Sequence, residues 1–116
     1  MSENLPVNSS KLLVVLTSLP NVEAAKALAR ALVEKNLAAC VQLTEGIQSI
    51  YRWEGKLCEE SEVLLTAKTT EVKWREIAAF IQSAHPYDLP EILAFTPAQY
   101  EEHYGKWVQS EVNSHS

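Results

Sequence analysis

The chain has 116 residues, of which 47% are hydrophobic, and its formal charge is -5. This length predicts one domain, and this composition excludes general disorder. The acidic balance argues against a nucleic-acid partner and against attraction to an anionic membrane, and no apolar run approaches the ~20 residues that span a bilayer.

The chain starts with a polar segment, residues 1–10, which lacks the basic start and apolar middle of a secretory signal. We interpret it as a flexible tail, and residues 113–116 as a second one, on either side of a single domain at 11–112. Because no targeting segment is visible, the cytoplasm is the expected location. Two cysteines are compatible with its reducing conditions.

The first predicted elements are a buried strand and a helix. Lys11–Leu19 is an apolar run of strand length, which is typical of a central strand covered on both faces. Asn21 is a suitable N-cap for the helix that follows, and Asn36 is a suitable left-handed stop. Between them, apolar residues recur at the spacing of one helical face: Ala25, Leu28, Ala29 and Leu32.

A long hairpin is predicted next. Ala38–Trp53 and Lys56–Lys68 have the character of strands, and Glu54-Gly55 between them is a two-residue turn. Glu45-Gly46 marks a break or bend in the first of these strands. If Trp53 faces Lys56, the numbers of facing residues sum to 109. Cys58 then lies opposite Tyr51, and Cys40 opposite Thr69.

Two more helices and a short strand complete the chain. Thr69-Thr70 is predicted to cap a helix that ends near His85, because Pro86 disfavours helical backbone at the residue before it. Ile92–Phe95 is a short strand, and a weaker helical stretch runs from about Pro97 to Val112.

The order β-α-β-β-α-β with an extra C-terminal helix predicts an α+β fold of the ferredoxin-like kind, with an antiparallel sheet and two helices on one face. The hairpin strands are longer than the usual 3–10 residues. Their far ends should therefore extend beyond the sheet and either bend over it or pair with another subunit. This overhang is the structural argument for a homo-oligomer.

The two cysteines are too far apart along the predicted hairpin for an internal disulfide, which needs Cα atoms within ~7 Å. Each is interpreted as a small, at least partly buried thiol. Cys40 could alternatively be a soft metal ligand, although no C-x-x-C motif accompanies it.

His85, Asp88 and Glu91 lie within one loop that Pro86 and Pro90 stiffen. Imidazole suits copper and zinc, and carboxylates can complete the coordination of either metal. His85 is therefore the candidate metal ligand. The alternative is that His85 and Asp88 only satisfy backbone groups at the end of the helix.

Aromatic and charged residues of the hairpin and this loop could also form a cleft for a small molecule. An exposed tryptophan at a hairpin tip indicates either subunit packing or a ligand pocket. The cleft candidates combine apolar faces with a few polar groups: Trp53, Glu62, Lys68, Tyr87 and Glu91. No glycine-rich phosphate loop or G-x-S-x-G motif is present, so we assign no catalytic residue and do not expect an enzyme.

These segments resemble the CutA family of divalent-cation tolerance proteins over nearly the whole chain, from Leu13 to about Trp107. The matching motifs lie after the first helix, in the hairpin and in the proline-stiffened loop: Leu37-Ala-Ala-Cys-Val41, Ser49-Ile-Tyr-Arg-Trp-Glu-Gly-Lys56, Glu62, Lys68-Thr-Thr70 and His85-Pro-Tyr-Asp-Leu-Pro-Glu-Ile92.

The resemblance implies a ferredoxin-like homotrimer, related in architecture to the PII signalling proteins, whose long hairpins pair between subunits. It also implies copper or another divalent cation as a ligand, held by a cysteine of the first strand and two adjacent histidines. The corresponding positions in this chain are Thr17, Ala84 and His85.

Two hypotheses for function follow. The first is a trimeric protein of metal homeostasis that binds a divalent cation through His85. The second is a PII-like adaptor that holds a small ligand in clefts between subunits, reports it to a protein partner and binds no physiological metal.

Overall fold

The fold alternates strands and helices in the predicted order. A computed structural model describes residues 10–113, so most of each predicted tail, 1–9 and 114–116, lies outside the described residues. The elements are β1 (Leu12–Leu19), α1 (Val22–Glu34), β2 (Cys40–Trp53), β3 (Lys56–Thr70), a 3₁₀ turn (Glu71–Lys73), α2 (Trp74–Ala84), β4 (Leu93–Phe95) and α3 (Glu102–Asn113). No helix within residues 10–113 has both the length and the apolar character needed to cross a bilayer.

The four strands form one antiparallel sheet in the order β2-β3-β1-β4. Helices α1 and α2 pack on one face of this sheet and share a core with it. The buried residues of this core come from both layers: Leu13, Val15, Leu65 and Ala67 from strands, and Ala25, Leu28, Leu32, Ile77 and Ile81 from helices. The predicted ferredoxin-like α+β fold is therefore confirmed.

The two ends of α1 agree with the prediction. The side chain of Asn21 accepts a hydrogen bond of 2.8 Å from the backbone N–H of Ala24, as an N-cap does. Asn36 adopts a left-handed backbone with φ of 58° just after the helix. These two asparagines set the length of α1, and the stripe between them faces the sheet.

The hairpin of β2 and β3 has the predicted turn. Glu54 and Gly55 have φ of 52° and 82°, as a type I′ turn requires. Trp53 pairs with Lys56, and Tyr51 with Cys58.

A bulge shifts the register further along the hairpin, between Thr44 and Ile47. Gly46, with φ of 75°, lies in this bulge. The shift corrects one predicted pairing, because Cys40 lies opposite Lys68 and not Thr69. Both cysteines are free thiols.

The far half of the hairpin extends beyond the sheet, as predicted. Strand β1 pairs with Val63–Thr70 only, so 47–53 and 56–62 pair with each other alone. We call this two-stranded segment the ribbon. It contributes to the elongated shape of the molecule, whose longest dimension is 57 Å.

The predicted Thr69-Thr70 helix cap is wrong. Both threonines continue β3 opposite Leu13 and Leu12, and Thr70 makes no side-chain capping hydrogen bond. The chain enters α2 through the 3₁₀ turn instead. Pairing with β1 thus extends the strand by two β-branched residues that suit a sheet better than a cap.

The C-terminal helix α3 is shorter than predicted and covers part of the sheet face opposite α1 and α2. It buries Val108 and Val112, and Gly105 lies near the Leu12 side chain. Gln109 donates a hydrogen bond of 2.8 Å to the carbonyl of Ser10, so Ser10 packs against the domain. The rest of this face, which we call the open face, includes Leu93 and Phe95 at the edge of the sheet, 46% and 48% exposed.

Candidate functional site

A cleft of about 510 Å³ lies between the ribbon and the loop that follows α2. Its walls combine three aromatic rings, two serines, one leucine and four carboxylates. The lining residues are Ser18, Ser49, Tyr51, Trp53, Glu60, Glu62, Tyr87, Asp88, Leu89 and Glu91. Every charged residue of this lining is acidic.

The ribbon forms one wall through the alternation of side chains along a strand. On β2, Ser49, Tyr51 and Trp53 point to the same side because they are two residues apart. Glu60 and Glu62 of β3 join them, since Ser49 pairs directly with Glu60. The intervening residues point to the opposite side of the ribbon, among them Ile50 and Glu59.

The loop forms the other wall, and the imidazole of His85 anchors it. Helix α2 ends at Ala84, and His85, the residue that follows it, is only 8% exposed. Its Nδ1 accepts a hydrogen bond of 3.1 Å from the backbone N–H of Tyr87. The proton is therefore on Nε2, which donates to the carbonyl of Ser18 at 2.8 Å. The ring ties the loop to the end of β1.

Glu62 joins the two walls. The Tyr87 hydroxyl donates to its Oε2 at 2.7 Å, and the Ser49 hydroxyl donates to its Oε1 at 2.6 Å. Burial raises the pKa of Tyr87, and the hydrogen bond to Glu62 raises it further. The phenol therefore stays protonated and keeps donating to Glu62 throughout the neutral range.

One further hydrogen bond orients a carboxylate of the cleft. Ser18 donates from Oγ to Oε1 of Glu91 at 3.1 Å. Burial raises the pKa of Tyr51, and a hydrogen bond to Glu60 adds to the effect. Two of the four carboxylates, Glu62 and Glu91, are thus held by hydroxyl groups in defined orientations.

Of the predicted cleft residues, the structure brings four together: Trp53, Glu62, Tyr87 and Glu91. Lys68 lies further along β3, opposite Val14 and Cys40, where its Nζ donates to Gln42 at 2.8 Å. The structure therefore does not place Lys68 in this cleft.

The prediction missed six lining residues: Ser18, Ser49, Tyr51, Glu60, Asp88 and Leu89. The hairpin register contained a signal for three of them. With Trp53 opposite Lys56, strand alternation places Ser49, Tyr51 and Glu60 on the same side as Trp53 and Glu62. Ser18 had no such signal, because its neighbours in the cleft come from distant parts of the chain.

The residues at the three positions of the implied copper site do not fit a metal ion within one subunit. Both nitrogens of His85 are engaged in hydrogen bonds. Thr17 offers a buried hydroxyl, and Ala84 offers no donor. Cys40 lies on β2 beside Lys68, outside the cleft lining. Within residues 10–113, no group of three or more His, Cys, Asp or Glu side chains is arranged to hold a metal.

Fold and cleft together define an α+β protein of the ferredoxin-like class with a ligand-sized cleft between its hairpin and the loop after α2. Residues 13–111 match the family model described as CutA1 divalent ion tolerance protein. The chain belongs to this CutA1 family.

Relatives from distant organisms agree with this assignment. The divalent-cation tolerance protein CutA of Thermus thermophilus is 42% identical over 96 residues, which cover 83% of this chain and 93% of that protein. Human protein CutA is 44% identical over 95 residues, but the match covers 82% of this chain and only 53% of the human protein. The solved structure of CutA from Synechococcus elongatus PCC7942 has a TM-score of 0.86 at 39% identity, covering 90% of this chain and 93% of that one.

Proposed function

We propose that this protein acts in divalent-cation tolerance as a binding protein, not an enzyme, and that it holds a small molecule in the cleft between the ribbon and the loop. The observation that carries the proposal is the bridge from Tyr87 through Glu62 to Ser49, which joins the two walls. Such a bridge holds the walls in place before a ligand arrives, which lowers the entropy cost of binding.

The dimensions and the lining of the cleft support this role. Its volume lies within the ~300–1,000 Å³ of small-molecule sites, and its lining combines aromatic faces with a few polar groups. Trp53 and Tyr87 supply large apolar surfaces on opposite walls. A ligand could therefore be recognised by shape and by a few oriented oxygens.

Metal binding through His85 is the alternative, and the family description of divalent ion tolerance favours it. The imidazole would have to give up one of its two hydrogen bonds to release a lone pair for the metal. A nearby donor set would also have to come from outside the subunit. Because of these requirements, binding of a small molecule in the cleft is the first hypothesis, and metal binding through His85 is the second.

We also propose that the functional form is a homotrimer and that it reports ligand binding to a protein partner in the manner of PII proteins. The proposed number of three subunits rests on the resemblance to the family. Exposed apolar residues support assembly, since Leu93 and Phe95 line the open face and the ribbon carries Ile50 and Leu57. The free thiols of Cys40 and Cys58 are compatible with a cytoplasmic, reducing location.

A thermal-shift screen tests the binding proposal. The assembled protein is heated with a panel of cationic, neutral and anionic metabolites, and separately with copper and zinc. A cleft ligand should raise the melting temperature by mass action. Trp53→Ala should abolish this shift because it removes one apolar wall. The matched control is Val72→Ala, at an exposed apolar residue of the 3₁₀ turn that does not line the cleft, which should keep the shift.

Two results would contradict the proposal. One is a flat response to every metabolite by an intact oligomer. The other is a shift with copper or zinc alone that Trp53→Ala keeps and His85→Gln loses. The second result would support metal binding through His85 instead.

A further inference from the structure

We propose that the cleft selects a small organic cation, namely an aliphatic amine with more than one positively charged nitrogen. This inference rests on the proposed ligand-binding function and specifies the chemical class of the ligand. It follows from three properties of the cleft: the sign of its charges, their separation and its aromatic surfaces.

The sign of the charges excludes anionic ligands. Glu60 and Glu62 stand on the ribbon wall, and Asp88 and Glu91 on the loop wall. No lysine or arginine is among the lining residues of the described chain. Negative groups on both walls raise the local concentration of cations and repel anions such as phosphates and carboxylates.

The nearest basic residues of the ribbon do not change this conclusion. Lys56 pairs with Trp53 at the tip of the hairpin and therefore stands on the cleft side of the ribbon, but it lies beyond the lining residues. Arg52 belongs to the alternating set that points to the other side, paired with Leu57. Neither residue belongs to the lining of the cleft, and neither forms an ion pair with Glu60 or Glu62 in the described residues.

The separation of the carboxylates argues against a bare metal ion. Both oxygens of Glu62 already accept hydrogen bonds from hydroxyl groups, and one oxygen of Glu91 accepts a hydrogen bond from Ser18. No three acidic side chains of the described residues converge on one point. Charges spread over two walls match a chain of methylene groups with a nitrogen at each end better than a single ion.

The aromatic rings of the cleft also favour an organic cation. Trp53 and Tyr51 on the ribbon and Tyr87 on the loop present their rings to the same cavity. Aromatic faces attract ammonium groups through the ring quadrupole, and they also pack against methylene chains. A polyamine uses both properties, whereas a neutral sugar or an organic acid uses neither fully.

The test compares three probes that differ in charge: spermidine is a cation, citrate is an anion and glycerol is neutral. Binding to the assembled protein is measured by calorimetry and by the fluorescence of the tryptophans at physiological salt, which screens non-specific attraction. Glu60→Gln removes one negative charge from the cleft wall. Glu59→Gln is the matched control, because it removes the same charge from the residue directly before Glu60 in β3, which points away from the cleft.

Spermidine should bind the unmodified protein, and citrate and glycerol should not. Glu60→Gln should weaken spermidine binding about fivefold or more, and Glu59→Gln by less than about twofold. Circular dichroism confirms that both variants are folded. This pattern would support a cation-selective cleft.

Other outcomes overturn the inference in distinguishable ways. Equal weakening by the two variants would show that spermidine only follows the net charge of the protein. Binding of citrate or glycerol that depends on Trp53, without binding of spermidine, would keep the proposed ligand cleft but exclude its selectivity for cations. If no probe binds and the metabolite screen is also flat, both proposals fall together.

Discussion

At the residue scale, His85 illustrates how a residue type with metal-binding chemistry can have a structural role. The imidazole is buried and bridges the backbone of Tyr87 to the carbonyl of Ser18. One bond pairs the backbone N–H of Tyr87 just after α2, and the other pairs the carbonyl of Ser18 at the end of β1. The open alternative from the sequence, that His85 satisfies backbone groups at the helix end, agrees with this arrangement.

Tyr87 provides a test of the hydrogen bond between the two walls of the cleft. Tyr87→Phe removes the donor to Glu62 and should lower the free energy of unfolding by about 1 kcal/mol at neutral pH. Burial, and then the bond to Glu62, raise the pKa of Tyr87 in the folded protein. The stability linked to this proton is therefore fully present below the ordinary pKa of about 10 and is lost as the pH rises through the folded value.

The measurement is urea unfolding of both proteins between about pH 8 and about pH 11. The unmodified protein should lose stability more steeply than Tyr87→Phe above about pH 10, by at most about 1.4 kcal/mol per pH unit. Tyr100→Phe, at an exposed ring outside the cleft, serves as the control. Parallel curves for the unmodified protein and Tyr87→Phe would contradict this role for the phenol.

At the scale of elements, the bulge at Gly46 determines which hairpin residues face each other. Before it, Thr44 pairs with Leu64; after it, Ile47 pairs with Glu62. The bulge lies where β3 loses its second neighbour, β1, whose last partner is Val63. Bulges bend a strand and increase its twist, so this one can direct the ribbon towards the loop.

Gly46→Ala tests the backbone requirement of the bulge. Glycine at φ of 75° avoids the strain of a side chain in the left-handed region, and no atom lies within 4 Å of the position that a Cβ would occupy. The substitution should therefore cost about 1 kcal/mol through backbone strain alone. Urea unfolding measures this cost, with Glu45→Ala as the neighbouring control. Equal effects of the two substitutions would argue against a special role of Gly46.

At the scale of the whole molecule, the open face of the sheet contradicts the expectation for an isolated globular protein. Leu93 and Phe95 are nearly half exposed on β4, and Leu16 and Val14 pair with them on β1. These side chains alternate to the side of the sheet that α1 and α2 do not cover. A neighbouring subunit that covers this face would bury them, as the proposed trimer requires.

Phe95→Glu tests this assembly. A carboxylate buried without a partner in an apolar interface costs several kcal/mol, so the dissociation constant of the oligomer should rise by about a hundredfold or more. Sedimentation at micromolar concentration measures the change. Val72→Glu is the matched control, because Val72 is 61% exposed but lies in the 3₁₀ turn and not on a strand of the sheet. A well-folded single subunit of the unmodified protein at this concentration would contradict the proposed oligomer.

Local rules accounted for most of the elements. Asn21 and Asn36 delimit α1, Glu54-Gly55 makes the turn, and the proline after His85 ends α2. Each of these depends on one residue and its immediate neighbours. Thr70 is the exception, because a threonine at this position suits a helix cap as well as a strand. Only its pairing with Leu12 of β1 decides that it continues the strand.

The amino-acid sequence alone therefore determined the order of the elements, the ferredoxin-like fold, the turn of the hairpin and four of the cleft residues. Only the tertiary structure decided that Lys68 lies outside the cleft and that both nitrogens of His85 are engaged. The physical reason is the separation along the chain of the residues that interact. Helix caps, turns and strand alternation act between neighbours in sequence, whereas the cleft depends on where the bulge at Gly46 directs the ribbon and on contacts between segments far apart in the chain.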